Sequence, residues 1–221
     1  MLKSGVMLAR TTLNREAYKA LRSAILGRKL PPGRKLIVRV LAEELGLSPT
    51  PVKEALSALE REGLVVAVPH RGYFVLEPTL EDVQEIYRLR EVLEGLAARL
   101  AVEESGKTLP AKLERILERQ RKAAERGDIA GYGDLDLSFH RTLWQAARNR
   151  RLLAVAETLD GQIRLLINSS AAIPGRLPLS LAEHEAVLEA IAAHDPDAAE
   201  TAMREHVQRA GRALEGHLRA S

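Results

Sequence analysis

Six histidines, His70, His140, His184, His194, His206 and His217, are the residues of this 221-residue chain that most invite a chemical reading. Asp136 and His140 stand four apart, so on a helix they share one face. His184 and His206 follow in later segments. One carboxylate and three imidazoles suit zinc, nickel, manganese or a similar divalent ion. An Asp-x-x-x-His pair is equally an ordinary solvated contact, and single histidines often sit on surfaces. Spacing alone leaves both readings open. Cysteine is absent, which excludes disulfides and thiolate ligands and is compatible with a reducing cytoplasm.

A second group of side chains suits a polyanion. Residues 1–77 carry 13 Lys/Arg against 7 Asp/Glu, whereas residues 78–221 carry 20 against 23. A basic segment joined to a slightly acidic one points to a nucleic-acid-binding module beside a partner domain. Within the basic segment, Ser48, Thr50 and Lys53 cluster after a Gly46 break, Arg39 precedes them, and His70, Arg71 and Gly72 form a turn.

Positioning these groups requires particular elements. Leu13, Ala17, Leu21, Ala24 and Ile25 have helical spacing, ended by Gly27 and the breaker Leu30-Pro31-Pro32-Gly33. A short helix is expected over Val38–Leu45. A third opens at Ser48, an N-cap type with prolines in the first turn, and runs to Arg61 with Val52, Ala55, Leu56 and Leu59 on one face. Leu64–Val68 and Tyr73–Leu76 read as a β-hairpin. After Pro78 the signal is helical throughout, with six helices expected at about 79–104, 109–127, 132–148, 150–172, 180–194 and 196–218. Thr79 with Asp82, and Ser180 with Glu183, read as capping pairs, and Asp195-Pro196 as a helix start. The expected fold is mainly α: an N-terminal winged helix-turn-helix of three helices plus a hairpin over residues 1–77, then an all-α six-helix bundle over 78–221. In such a motif the N-terminal residues of the second helix of the pair reach base edges and phosphates in the major groove. Arg39, Ser48, Thr50, Lys53, His70, Arg71 and Gly72 are the expected DNA-binding residues.

Pro31-Pro32-Gly33, the run Leu41 to Ser48, the run Thr50 to Leu56, the run Leu59 to Val65 and the run Arg71 to Val75 closely resemble the DNA-binding domain of the GntR family of bacterial regulators. The resemblance implies binding to a pseudo-palindromic operator as a dimer. The family usually has arginine where Pro49 and Lys53 stand. Proline donates no side-chain hydrogen bond, and lysine lacks the fork that grips guanine.

Leu89-Arg90-Glu91-x-x-Glu94, Asp136-x-x-Phe139-His140, Glu183-His184 and Met203-x-x-His206 resemble the FCD effector-binding domain of the FadR-type branch, in its shorter VanR-like form. The resemblance implies a divalent metal, zinc foremost, held by Asp136, His140, His184 and His206. His194 and His217 fall outside these motifs and read as solvated. Arg90 matches the effector-facing arginine; an i,i+4 ion pair with Glu94 is its plainer explanation. Arg164 and Asn168, four apart on one helix, are further candidates for the pocket wall. The expected effector is a small carboxylic or sugar acid.

The function expected is a ligand-responsive transcriptional regulator, a homodimeric repressor of operator DNA and not an enzyme. Two rivals are a metal-dependent hydrolase with Glu183 as base and a DNA-binding protein whose metal is purely structural. No apolar run reaches the roughly 18–20 residues that span a bilayer, and the N-terminus has no signal-peptide pattern. A soluble cytoplasmic protein without a membrane partner is expected.

Overall fold

The first helix, α1 (Ser4–Leu26), buries Ala17, Leu21 and Ile25 on the stripe that its apolar spacing marks, and leaves Leu13 exposed. It begins upstream of the apolar stripe. The computed structural model describes residues 4–104, 106 and 108–220, and side chains from Leu13 onward. Two compact units divide the chain, residues 1–77 and 78–221.

In the first unit β1 (Lys35–Leu36) and α2 (Val38–Leu45) follow α1; then come α3 (Pro49–Arg61), β2 (Val65–Val68) and β3 (Gly72–Val75). Gly46 stops α2 in the left-handed region at φ 65°, its N–H turned back to the carbonyls of Ala42 and Glu43. Ser48 occupies the N-cap of α3, but its side chain makes no capping bond. Val52, Ala55, Leu56 and Leu59 are all buried, and α3 packs on α1, α2 and β2. The sheet is antiparallel in the order β1-β3-β2, so the hairpin gains a third strand. That strand is two residues long, too short to show alternation in sequence.

The second unit contains α4 (Leu80–Glu104), α5 (Leu109–Glu125), α6 (Ile129–Ala146), α7 (Arg150–Ala171), α8 (Arg176–Ala192) and α9 (Pro196–Ala220). Thr79 and Asp82 cap α4 reciprocally: Asp82 accepts the Thr79 N–H at 2.8 Å, and Thr79 Oγ1 accepts the Asp82 N–H at 3.1 Å. Asp195 caps α9 by accepting the Ala198 N–H at 2.9 Å. Helix α4 lies along α9, which packs on α8; α5 packs on α6 and α8, and α6 also meets α7 and α4. Ala97, Ala98 and Ala101 are fully buried, and Phe139 and Trp144 are among the aromatics of a core otherwise built from Leu, Val, Ile and Ala.

One expectation is corrected. Ser180 and Glu183 do not cap α8, which starts a turn earlier at Arg176, after Gly175 at φ 78°. Pro178 fits that added first turn, where a missing N–H costs nothing. Ser180 and Glu183 are thereby carried inside the helix and into the bundle.

Candidate metal and effector site

Helix α6 carries Asp136 and His140 on one face, α8 carries His184 and α9 carries His206. All four side chains turn inward, none more than 8% exposed. One ring nitrogen from each histidine lies within 4.8 Å of the others. His184 Nε2 and His206 Nε2 are 3.2 Å apart, and Asp136 places Oδ1 3.4 Å from His140 Nε2 and Oδ2 3.9 Å from His184 Nε2. Ligands at roughly 2.0–2.2 Å from a divalent ion are themselves separated by distances of about this size. His140 Nε2 is buried with no hydrogen-bond partner. The donor set, three imidazoles and one carboxylate around one point, therefore fits such an ion.

The outer nitrogens are occupied. Glu94 on α4 pairs with His140 Nδ1. Gln120 Oε1 on α5 lies 3.2 Å from His184 Nδ1, and Glu183 Oε2 lies 2.8 Å from His206 Nδ1. Partners of this kind fix the ring and leave Nε2 free for a metal. Phe139 stacks on His184 at 4.4 Å between ring centres, which further restrains that ring.

The electrostatics follow from burial and pairing. Burial alone would raise the pKa of Glu94, but Arg90 and His140 beside it outweigh burial and hold it at about 2. Asp136 is likewise held below its ordinary value: burial opposes this, and His184 and His140 prevail. Burial, then the neighbouring His206, pushes His184 well below its usual value, and burial lowers His206 against the pull of Glu183. Both therefore favour the neutral form that ligates metal. In the absence of an ion His140 is raised to about 9, because Glu94 and Asp136 overcome the effect of burial.

A small cavity adjoins these residues. Its walls are Tyr87 and Arg90 from α4, Tyr132 and Asp136 from α6, and Ile167, Ser170 and Ala171 from α7. Arg176, Leu177 and Ser180 from α8 and His206 and Ala210 from α9 complete it. Arg90 is 1% exposed; its Nε donates to Glu94 Oε1 at 2.6 Å, while its Nη1 has no partner. The expected i,i+4 ion pair and the cavity-facing position thus coexist. Arg176 donates through both terminal nitrogens to Glu183, at 3.0 and 2.6 Å. Gly211 lets α9 approach Tyr87: a Cβ there would meet the ring at 3.0 Å.

The other expected residues fall elsewhere. Arg164 pairs with Asp134. Asn168 is buried on α7 against Gly133 of α6. Neither lines the cavity. His194 and His217 are exposed. In the first unit Arg39, Ser48, Thr50, Lys53, His70, Arg71 and Gly72 are all exposed. Arg39 lies in the first turn of α2, and Ser48, Thr50 and Lys53 span the start of α3. His70 at φ 61° and Gly72 at φ 97° make the tight β2–β3 turn, and the Arg71 guanidinium lies 5.6 Å from the Phe74 ring centre.

Sequence reasoning missed Gln120 and Arg176 and gave Glu94 and Glu183 other roles. Two signals existed: Glu94 stands four after Arg90, and Glu183 adjoins His184. Arg176 lay in a stretch read as a loop.

Comparison with known proteins bears on both units. The family described as bacterial regulatory proteins, gntR family, matches residues 13–75, and the FCD domain family matches residues 85–209. The chain is 31% identical over 201 residues to a probable D-xylose utilization operon transcriptional repressor of Paenarthrobacter nicotinovorans, covering 90% of this chain and 88% of that protein. It is 29% identical over 199 residues to the HTH-type transcriptional repressor RspR of Escherichia coli, covering 89% and 86% respectively. The solved structure of Escherichia coli McbR/YncC is similar, with a TM-score of 0.79 and 28% identity, over 93% of this chain and 98% of that one.

Proposed function

Because the chain belongs to the gntR family of bacterial regulatory proteins and carries an FCD domain, we propose that it is a repressor whose operator affinity is set by a small acid bound beside a metal ion. That it is a transcriptional regulator and not an enzyme follows from its family and relatives, so the hydrolase alternative falls. The observation that carries the finer reading is the convergence of Asp136, His140, His184 and His206 beside a cavity that also holds Arg90 and Arg176. Zinc suits three nitrogens and one oxygen; nickel and manganese are the alternatives. When bound, the ion supplies Lewis acidity toward a carboxylate oxygen. Arg90 orients that carboxylate through a planar fork. Repression accords with the names of two relatives, the D-xylose operon repressor and RspR.

The regulator acts as a homodimer on operator DNA in the cytoplasm. Leu89, Val92 and Leu96 lie on one side of α4 and are 52%, 53% and 37% exposed, an apolar stripe at the spacing of a helix–helix seam. Arg39, Ser48, Thr50 and Lys53 contact the major groove, and His70, Arg71 and Gly72 the adjoining backbone. With Pro49 and Lys53 in place of arginines, phosphate contacts carry more of the affinity than guanine contacts. Arg164 and Asn168 support the cavity from behind its wall. The effector shifts the balance between packings of the helical unit that differ in operator affinity.

The test is thermal unfolding and operator binding of metal-loaded and chelated protein against small carboxylic and sugar acids. A ligand present at 100 times its Kd stabilises the native state by about 2.7 kcal/mol. The reading expects one acid to raise Tm and weaken operator binding, with both effects lost on chelation. Stability that falls on chelation with no acid response would instead indicate a purely structural metal.

A further inference from the structure

Two runs of contacts with the same composition lead from the ligand cluster to the cavity. In one, Glu94 pairs with His140 Nδ1 and takes Arg90 Nε at 2.6 Å. In the other, Glu183 lies 2.8 Å from His206 Nδ1 and takes the fork of Arg176 at 3.0 and 2.6 Å. Both arginines line the cavity, and each has one buried nitrogen without a partner, Nη1 of Arg90 and Nε of Arg176. Tyr87 lines the same cavity and its hydroxyl is also buried and unpartnered. Three donors around one cavity therefore lack acceptors, which buried donors rarely do.

The charges of the same cluster restrict what can bring those acceptors. Its buried ionic groups are two guanidiniums, Arg90 and Arg176, and three carboxylates, Glu94, Asp136 and Glu183. Asp160, also buried, pairs with Arg141. With neutral imidazoles the cluster carries one net negative charge, and a divalent ion turns this into one net positive charge. A single carboxylate brings the sum to zero. A second carboxylate leaves an uncompensated negative charge in a water-poor site, which is costly. The remaining donors need oxygen acceptors that carry no charge, and hydroxyl groups provide them.

We propose that the cavity selects a polyhydroxy monocarboxylate over a dicarboxylate built on the same carbon skeleton, with Tyr87 as a donor to its hydroxyl groups. The inference rests on the metal-centred reading above. Two pairs of acids test it, threonate against tartrate and gluconate against glucarate, because within each pair a terminal hydroxymethyl group is exchanged for a carboxylate. Calorimetric titration of the zinc-loaded protein, with zinc content assayed after each run, gives at least tenfold tighter binding of the monoacid in the pair whose length fits. Tyr87→Phe weakens that monoacid several-fold and leaves acetate binding unchanged, while the Trp144 fluorescence unfolding midpoint verifies that the variant is folded. Equal or tighter binding of the diacid in both pairs overturns the inference and leaves the metal-centred site standing. Zinc binding with no response to any of these acids, or a response unaltered by chelation, overturns that site as the effector site and this inference with it.

Discussion

Neutralising Glu94 tests whether the buried charges hold the helical unit together as the geometry implies. Glu94 is 2% exposed, and its carboxylate is shared between Arg90 and His140. Folding lowers its pKa from 4.5 to about 2. Its stabilisation is therefore full above pH about 4.5 and is lost as pH falls toward 2. At about 1.4 kcal/mol per pKa unit this amounts to about 3 kcal/mol at neutral pH. Breaking a buried ion pair by removing one partner costs about 3–5 kcal/mol, a consistent figure. Glu94→Gln should thus lose about 3 kcal/mol. With a urea slope of about 2 kcal/mol/M, the unfolding midpoint should fall by roughly 1.5 M. The chain has a single tryptophan, Trp144, 2% exposed in α6, so its fluorescence follows the helical unit alone. The experiment is run in chelator at pH 7, beside Glu118→Gln, an exposed control on α5 expected to stay within about 0.5 kcal/mol. A midpoint fall no larger than that of the control would refute the reasoning.

Four other outcomes are expected. Gln120→Leu, which frees His184 Nδ1, should lower metal affinity by roughly 10–100-fold, measured by competition with a chelator; in His184→Ala the chelator should no longer change the unfolding midpoint. Lys53→Ala should weaken operator binding and reduce the slope of log affinity against log salt by about 1, read by fluorescence anisotropy. Leu89→Asp, which places a charge in the exposed α4 stripe, should give monomers in sedimentation velocity while far-UV circular dichroism stays helical.

Much of the fold could be read locally because its signals are local. Gly46, the Thr79–Asp82 pair and Asp195 mark helix ends by bonds within three or four residues. The start of α8 escaped because Ser180 and Glu183 satisfy a capping pattern while serving other partners: Ser180 Oγ donates to Asp136 Oδ2 at 3.3 Å, and Glu183 meets Arg176 and His206. Strand β1 escaped because two residues carry no period. At the site, Asp136 and His140 are visible as an i,i+4 pair. Gln120 holds a histidine 64 positions away, a relation that no spacing rule expresses. Arg164 and Asn168 share the face periodicity of α7 with the cavity wall, yet Arg164 turns to Asp134 and Asn168 packs at Gly133. A helical period gives a direction only to within part of a turn.

The proposed ligands and the residues that hold them come from five helices: Glu94 on α4, Gln120 on α5, Asp136 and His140 on α6, Glu183 and His184 on α8, and His206 on α9. None of these lies on α7, although α7 gives the cavity Ile167, Ser170 and Ala171. The helix that shapes one wall of the chamber is thus separate from those proposed to hold the ion. Substitution of those three side chains would reshape that wall without touching the residues proposed to hold the ion.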